Sequence, residues 1–548
     1  MIELNEFEGF VTMFLTANIR IILLVSVFIT VTGNFTLFHR VTEIYPWVEK
    51  WPFVLALMGF FTFTSMLFFI SICFGKFSKW VLATFLVTSA FAAYYMDQYG
   101  VVIDRDMIGN IVETNPQEFA GLVSIKLVGR VLIFGILPSI LVFRFAPKSP
   151  SFKNGLKVRL RLSVLLIVLC MLSILPFTAA FASFVREHKI TRMYANPLGF
   201  TYSLITYARD QLKRETIYVV KHTAEDAKKL FHLGNKKLII LVVGETARAD
   251  RFSLNGYLKE TNPELKKLNV VSFSNVSSCG TATKISLPCM FSNLGRANYN
   301  ENQAFQQENV LDVLSEYGVQ VLWRDNNSDS KGVATRIEYE NFKSPTLNPV
   351  CDTECRDIGM LKGLDQYIQS HEGKDILIVL HQMGNHGPEY YRRYPESFRR
   401  FQPMCMTGEL GDCTQQEVDN AYDNAILYTD YFLANVIKFL KQHDEKYATA
   451  MLYVADHGES LGERGIYLHA APYVIAPKEQ THIPVIAWMG KHFDYQMEDI
   501  LPWQDFPLSQ DDLFCTLLIA NDIHSSKTCD SKEAWFIKNK NLKLTDIQ

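Results

Sequence analysis

Five stretches of this chain, at roughly 12–32, 52–74, 80–97, 122–143 and 160–184, are each long and apolar enough to cross a bilayer. A spanning helix needs about 20 mostly apolar residues for a hydrocarbon core of about 30 Å, since lipid offers backbone amides no partner outside their own segment. The expectation is a transmembrane domain of five helices over residues 1–184. A cleaved secretory leader is not expected, because the start is acidic (Glu3, Glu6, Glu8) and four more apolar stretches follow the first.

Basic residues accumulate in cytoplasmic loops. The loop after the second stretch carries Lys76 and Lys79, and the loop after the fourth holds Arg144, Lys148, Lys153, Lys157, Arg159 and Arg161 with no acid among them. The loop between the third and fourth is acidic instead, with Asp97, Asp104, Asp106, Glu113 and Glu118 against Arg105. The N-terminus is therefore expected inside, and an odd number of crossings delivers everything after about residue 185 to the far side of the membrane. Cysteine usage agrees: of ten cysteines only Cys73 and Cys170 precede residue 270, and the rest fall in an exterior part where disulfides persist. A formal net charge of −3 gives no reason to expect nucleic acid. Residues 185–235 read as a bridge of interfacial helices, with aromatics alternating with charge in FTYSLITYARDQLKRE (200–215).

From 236 to 548 the pattern changes. Short apolar runs (KLIILVVG, VQVLW, DILIVLHQ, TAMLYVAD, HIPVIAWMG) alternate with helical segments such as NVLDVLSEYG and a long stretch near 416–442. This predicts an α/β domain with a largely parallel sheet, whose ligand sits beyond the carboxyl ends of the strands. Glu245 follows the first run, and Asp456 with His457 follows another. Two carboxylates and an imidazole suit zinc, which takes four ligands of N, O or S type. The fourth position is open to a hydroxyl from CGTATKISLPC, and spacing alone does not choose between Thr281 and Thr283. A metal-bound threonine would be an activated nucleophile. Asn327 and Lys331 in WRDNNSDSKG, His386 in HQMGNHGPEYYRRYP and His469 in YLHAAP supply the donors that phosphoryl transfer needs around the moving oxygens.

Taken together, GETAR, CGTATKISLPCMFS, RDNNSDSKG, HQMGNHGP and ADHGESLGERGIYLHAAP resemble the lipid A phosphoethanolamine transferases, the family that includes the mobilised colistin-resistance enzymes. The resemblance implies an alkaline-phosphatase-like (sulfatase-like) hydrolase domain in the periplasm, anchored to the bacterial inner membrane. It implies a zinc site of Glu245, Thr283, Asp456 and His457, with Thr283 as nucleophile, and one zinc ion or two. Asn327, Lys331, His386 and His469 would then bind phosphoethanolamine. It also implies disulfides Cys279–Cys289, Cys405–Cys413 and Cys351–Cys355, while Cys515 and Cys529 carry no implied pairing. The expected reaction moves phosphoethanolamine from phosphatidylethanolamine to lipid A through a phosphothreonine, in a monomer, and confers resistance to polymyxin and other cationic peptides. Lys284 after the nucleophile is similar to the branch that modifies the Kdo sugar of the inner core, which gives a second acceptor. A sulfatase-like hydrolase or phosphoglycerol transferase is the rival built on the same metal cluster.

Overall fold

The computed structural model of the chain describes residues 17–114, 116–145, 152–188, 191–212, 220–230, 234–529 and 534–535. The acidic start, residues 12–16 of the first apolar stretch, Lys148 of the basic loop, and 213–219 and 231–233 of the bridge lie outside the described residues. The chain divides into two compact units, Met1–Ile111 with Val123–Leu212, and Val112–Leu122 with Lys213–Gln548.

The first unit is helical. It contains α1 (Ala17–Gly33), α2 (Phe35–Ile44), α3 (Trp47–Ile72) and α4 (Ser78–Tyr99), followed by α5 (Ile125–Phe145) and α6 (Leu156–Arg186) and by α7 (Leu198–Leu212). Among the described residues α3, α5 and α6 are long and apolar enough to cross a membrane, and the α1–α2 pair, bent by 61°, makes four if counted as one span. The stretch expected at 80–97 is helical, as α4, but is less apolar than the others. The reason is packing: Ser89, Ala90, Ala92, Ala93, Tyr94 and Tyr99 of α4 are buried, and small side chains let a neighbour approach its backbone closely. Gly135 of α5 is that neighbour, since a Cβ there would come within 3.0 Å of Val87 Cα.

The second unit is built on an eight-stranded sheet of β1 (Lys237–Gly244), β2 (Val271–Ser277), β3 (Gln320–Asp325), β4 (Glu338–Asn341), β5 (Ile376–His381), β6 (Ala448–Ala455), β7 (His482–Met489) and β8 (Leu508–Ser509). Their spatial order is β8-β2-β7-β6-β1-β5-β3-β4. Only β7 runs against the others, antiparallel to both β2 and β6. Every residue of β1, β5 and β6 is buried, so these strands read as continuous apolar runs rather than alternating ones, as expected where both sheet faces are covered. The sequence passed over β2, β4 and β8, because VSFSNVS, EYEN and LS lack such a run.

Two helices matter for the site. The first, α8 (Thr283–Met290), leaves the loop after β2. The second, α9 (Gln415–His443), starts at a capping box in which Thr414 and Glu417 satisfy each other's backbone amides. Its buried face packs on the sheet, and the Tyr422 hydroxyl donates to the Thr246 carbonyl at 2.6 Å and accepts from the Arg248 amide at 3.0 Å, fixing the turn beyond β1. Four disulfides close within this unit: Cys279–Cys289, Cys351–Cys355, Cys405–Cys413 and Cys515–Cys529. The last is the pair that the sequence left open.

Helix α9 also carries a buried acid. Asp430 accepts the Glu264 and Leu265 amides at 2.9 and 3.0 Å, yet burial outweighs these bonds and raises its pKa to about 7. The folded state therefore keeps a proton that the unfolded chain releases near pH 4, and stability is lost as pH rises from about 4 to about 7. Unfolding of the detergent-solubilised protein across that window is expected to show a fall in stability that Asp430→Asn flattens. Identical pH profiles for the two proteins would refute this assignment.

Candidate active site

Parallel pairing sets the centre of the site. In the β1–β6 ladder Gly244 lies opposite Ala455, so the next residues, Glu245 and Asp456, emerge side by side at the carboxyl ends of neighbouring strands. Gly244 is required there, since a Cβ would come within 2.4 Å of the Tyr453 hydroxyl. Gly384, in the loop after β5, adopts φ +53 and sits where a Cβ would lie 2.9 Å from the Glu245 carbonyl, and the next amide, Asn385, donates to that carbonyl at 3.1 Å.

Glu245, Asp456 and His457 are completely buried and offer atoms all within 4.8 Å of one another. Asp456 Oδ1 accepts the Thr246 and His457 amides at 3.1 and 2.7 Å; its Oδ2 has no hydrogen-bond partner among the described residues. His457 Nδ1 bonds the Gly458 carbonyl at 2.9 Å, which puts the ring proton on Nδ1 and leaves Nε2 as a lone pair. That Nε2 lies 3.3 Å from Asp456 Oδ2 and 3.6 Å from Glu245 Oε1. Burial holds the ring below its ordinary pKa despite the attraction of Asp456. Two carboxylates and a lone pair thus converge in a buried site, an arrangement that a cation stabilises. The residues fit a metal ion.

The structure separates the two threonines. Thr281 Oγ1 donates to the Ala471 carbonyl at 2.6 Å, outside the cluster. Thr283 Oγ1 lies 3.2 and 3.1 Å from the Glu245 oxygens and 3.4 Å from His457 Nε2. Gln510, fully buried and absent from the sequence reading, braces this geometry: its Nε2 donates to the Ala455 and Asp456 carbonyls at 2.6 and 2.9 Å, and its Oε1 accepts from the Cys279 amide at 2.6 Å and the Ser286 hydroxyl at 2.9 Å. Both the strand end and the threonine helix are tied to one side chain.

The other expected residues occupy different positions. Asn327, completely buried, donates to Glu245 Oε2 at 2.6 Å and to the Gln382 carbonyl at 2.8 Å, so it touches the cluster through Glu245. His469 lies beside His457 with ring centres 4.5 Å apart and planes tilted by 43°, and the His386 ring centre is 5.7 Å from that of His469. Glu459, which lies within DHGES but was not singled out, accepts from His469 Nδ1 at 2.7 Å and from the Tyr390 hydroxyl at 2.7 Å. His386 Nδ1 has no hydrogen-bond partner among the described residues, and burial, with the neighbouring His469 and Arg393, pushes its pKa well down. Lys331 is turned toward Glu113, 3.7 Å away. Its backbone φ of +50 was not visible in the sequence.

Two family descriptions match the chain: Sulfatase over residues 237–523 and Phosphoethanolamine transferase EptA/EptB over 61–212. Among curated relatives, phosphatidylethanolamine transferase Mcr-1 of Escherichia coli is 42% identical over 522 residues, covering 92% of this chain and 95% of that protein. Phosphoethanolamine transferase EptA of Escherichia coli strain K12 is 39% identical over 445 residues, with 79% and 81% covered. The solved structure of the integral membrane lipooligosaccharide phosphoethanolamine transferase A from Neisseria meningitidis superposes with a TM-score of 0.90 at 32% identity, covering 94% of this chain and 98% of that one.

The crowded acids make a thermodynamic prediction. In chelator-treated protein Asp456→Asn, which removes one of two facing charges, is expected to melt no lower than the wild type. On adding metal the wild type should gain about 2.7 kcal/mol of stability at a hundredfold excess over its Kd, and the variant little. Calorimetry of both proteins with and without metal checks this, and equal gains would exclude Asp456 as a ligand.

Proposed function

The chain belongs to the EptA/EptB phosphoethanolamine transferase family, and from that premise we propose that it carries phosphoethanolamine from phosphatidylethanolamine to lipid A by way of Thr283. The observation that carries the choice of residue is the position of Thr283 Oγ1, within 3.4 Å of both Glu245 and His457, while Thr281 bonds elsewhere.

A zinc ion held by Glu245, Asp456, His457 and Thr283 would supply Lewis acidity, lowering the pKa of the threonine hydroxyl and offsetting charge on the transferring group. Thr283 Oγ1, whose proton points to Glu245 in the resting geometry, attacks phosphorus and diacylglycerol leaves, placing phosphoethanolamine on the threonine. A phosphate oxygen of lipid A then attacks that phosphorus and restores Thr283. Lys331, His386 and His469 hold the phosphoryl oxygens, with His469 oriented by Glu459, and Asn327 keeps Glu245 in place. The histidine pair is also where a second zinc would bind. The added ammonium offsets phosphate charge, so polymyxins and related cationic peptides bind the modified surface less well.

The segments divide accordingly into a membrane anchor (1–184), an interfacial bridge (185–235) and a periplasmic catalytic domain (236–548) in a monomeric, multi-pass inner-membrane enzyme. We count five crossings, with the bent α1–α2 pair as the first and α4 as the third, because leaving out α4 alone would put the two basic loops on opposite sides of the membrane from each other. Reporter fusions after residues 100 and 148 test this count: a periplasmic reporter should be active at the first and a cytoplasmic one at the second. The reverse pattern would defeat it.

Transfer to an inner-core Kdo sugar is the second reading, favoured by Lys284 following the nucleophile. Mass spectrometry of lipopolysaccharide from a susceptible Gram-negative host separates the readings. An adduct on lipid A that is lost with Thr283→Ala, by at least 100-fold if the residue is the nucleophile, is the expected result. An adduct only on the core would move the acceptor, and an adduct surviving in the variant would remove Thr283 from the chemistry.

A further inference from the structure

An ion cluster beside Thr283 enters the mechanism above only through Lys331; its other members, Lys284 and Glu113, have no part there. Lys284, the next residue in α8, is only 6% exposed, and its ammonium lies 2.5 Å from Glu113 Oε1 and 4.0 Å from Glu301 Oε1. Lys331, 10% exposed, reaches the other oxygen, Glu113 Oε2, at 3.7 Å. A single carboxylate therefore bridges two buried ammonium groups, one oxygen to each. Glu113 ends the helix Arg105–Glu113 and belongs, with the rest of Val112–Leu122, to the same compact unit as the lysines.

We propose that Lys284 and Lys331 form a seat for a phosphate anion of a lipid substrate, and that Glu113 fills it in the resting enzyme as a built-in counter-anion which the substrate displaces. The inference rests on the reading of Thr283 as the nucleophile.

Three features argue for it. The first is charge. Buried ammonium groups need counter-charge; Glu301, itself 9% exposed, lies 4.0 Å from Lys284, and Glu113 is the acid that the two lysines share. A phosphate, with several oxygens in tetrahedral array, meets two lysines at least as well as a carboxylate does.

The second is rigidity. Lys331 sits in a turn tied at both ends, with the Asn327 and Asp329 amides donating to Asp325 Oδ1 at 2.9 and 3.2 Å. It is held at a left-handed φ of +50, a cost of about 1 kcal/mol or more that persists only where the surroundings impose it. Lys284 is fixed by its place in the first turn of α8. The third is asymmetry: the Glu113 side chain is 33% exposed against 6% and 10% for the lysines. Glu113 can turn to water when displaced, whereas the lysines stay.

Either lipid can supply the anion, as the donor's phosphodiester or the acceptor's phosphate monoester, and the two half-reactions tell them apart. Full-length protein in mixed micelles is assayed for adduct formation on Thr283 with phosphatidylethanolamine, by intact mass, and for transfer from the adduct to lipid A. Glu113→Gln removes the competitor's charge, so it should lower the half-saturating lipid fraction in one half-reaction by roughly two- to five-fold, the range of a partly exposed ion pair. The half-reaction affected names the source of the phosphate. Lys284→Met should raise the same quantity and abolish the effect of Glu113→Gln, while Lys284→Arg, which keeps the charge, should preserve it. An unchanged or raised half-saturating fraction in both half-reactions with Glu113→Gln overturns the proposal, as does a full effect persisting in Lys284→Met. A wild-type protein that forms no adduct would instead overturn the reading of Thr283.

Discussion

Two carboxylates, Glu245 and Asp456, face the same small volume out of reach of water, and the rest of the catalytic unit is arranged around that repulsion. Unassisted, like charges in a medium of low dielectric would push the strand ends apart or take up a proton. Several features hold them instead. The β1–β6 register sets them side by side, two backbone amides neutralise part of Asp456, the Asn327 amide does the same for Glu245, and Gln510 locks the end of β6 to the threonine helix. The strands that present the acids are buried along their whole length. An apolar core of that extent is what lets a domain tolerate a strained polar centre. The strain is useful, since the charge that folding must oppose is also the charge that attracts and orients a cation.

The same logic of compensated charge recurs outward from the centre. His469 is held by Glu459, which Tyr390 also engages; Lys284 and Lys331 share Glu113. His469, Lys284 and Lys331 thus each have an internal partner already, whereas His386 Nδ1 has no hydrogen-bond partner among the described residues. On the proposal above, a lipid phosphate would enter this part of the site by exchange of partners with Glu113. The membrane anchor suits such a reaction, since both lipids are confined to the bilayer and a soluble enzyme would have to extract them from it.

Much of this was legible in the chain. The strands β1, β3, β5, β6 and β7 announce themselves because burial on both faces demands uninterrupted apolar runs. Once those runs are placed, the residues beyond their ends, Glu245, Asp456, His457 and His386, are candidates by position alone. Strands β2, β4 and β8 were not legible, because their place in the sheet depends on partners elsewhere in the chain. The apolar stretch that became α4 was legible as a helix, but its small and aromatic residues serve contacts with other helices, which hydropathy does not distinguish from contacts with lipid.

What the sequence by itself determined was the division into an apolar helical part and an α/β part, the strand tips that carry Glu245, Asp456 and His457, and a threonine loop placed between cysteines. Those follow from local rules, the length of an apolar run and the residue that ends it. Only the tertiary structure set Thr283 against Glu245 and left Thr281 outside the cluster, made Gln510 a brace, turned Asn327 toward Glu245, paired Cys515 with Cys529 and brought Glu113 to the two lysines. Each of these is a contact between side chains separated by more than a turn of helix or the length of a strand. The direction a side chain takes in such a contact is set by what the packed chain leaves unsatisfied, a property of the whole fold that no single stretch of sequence contains.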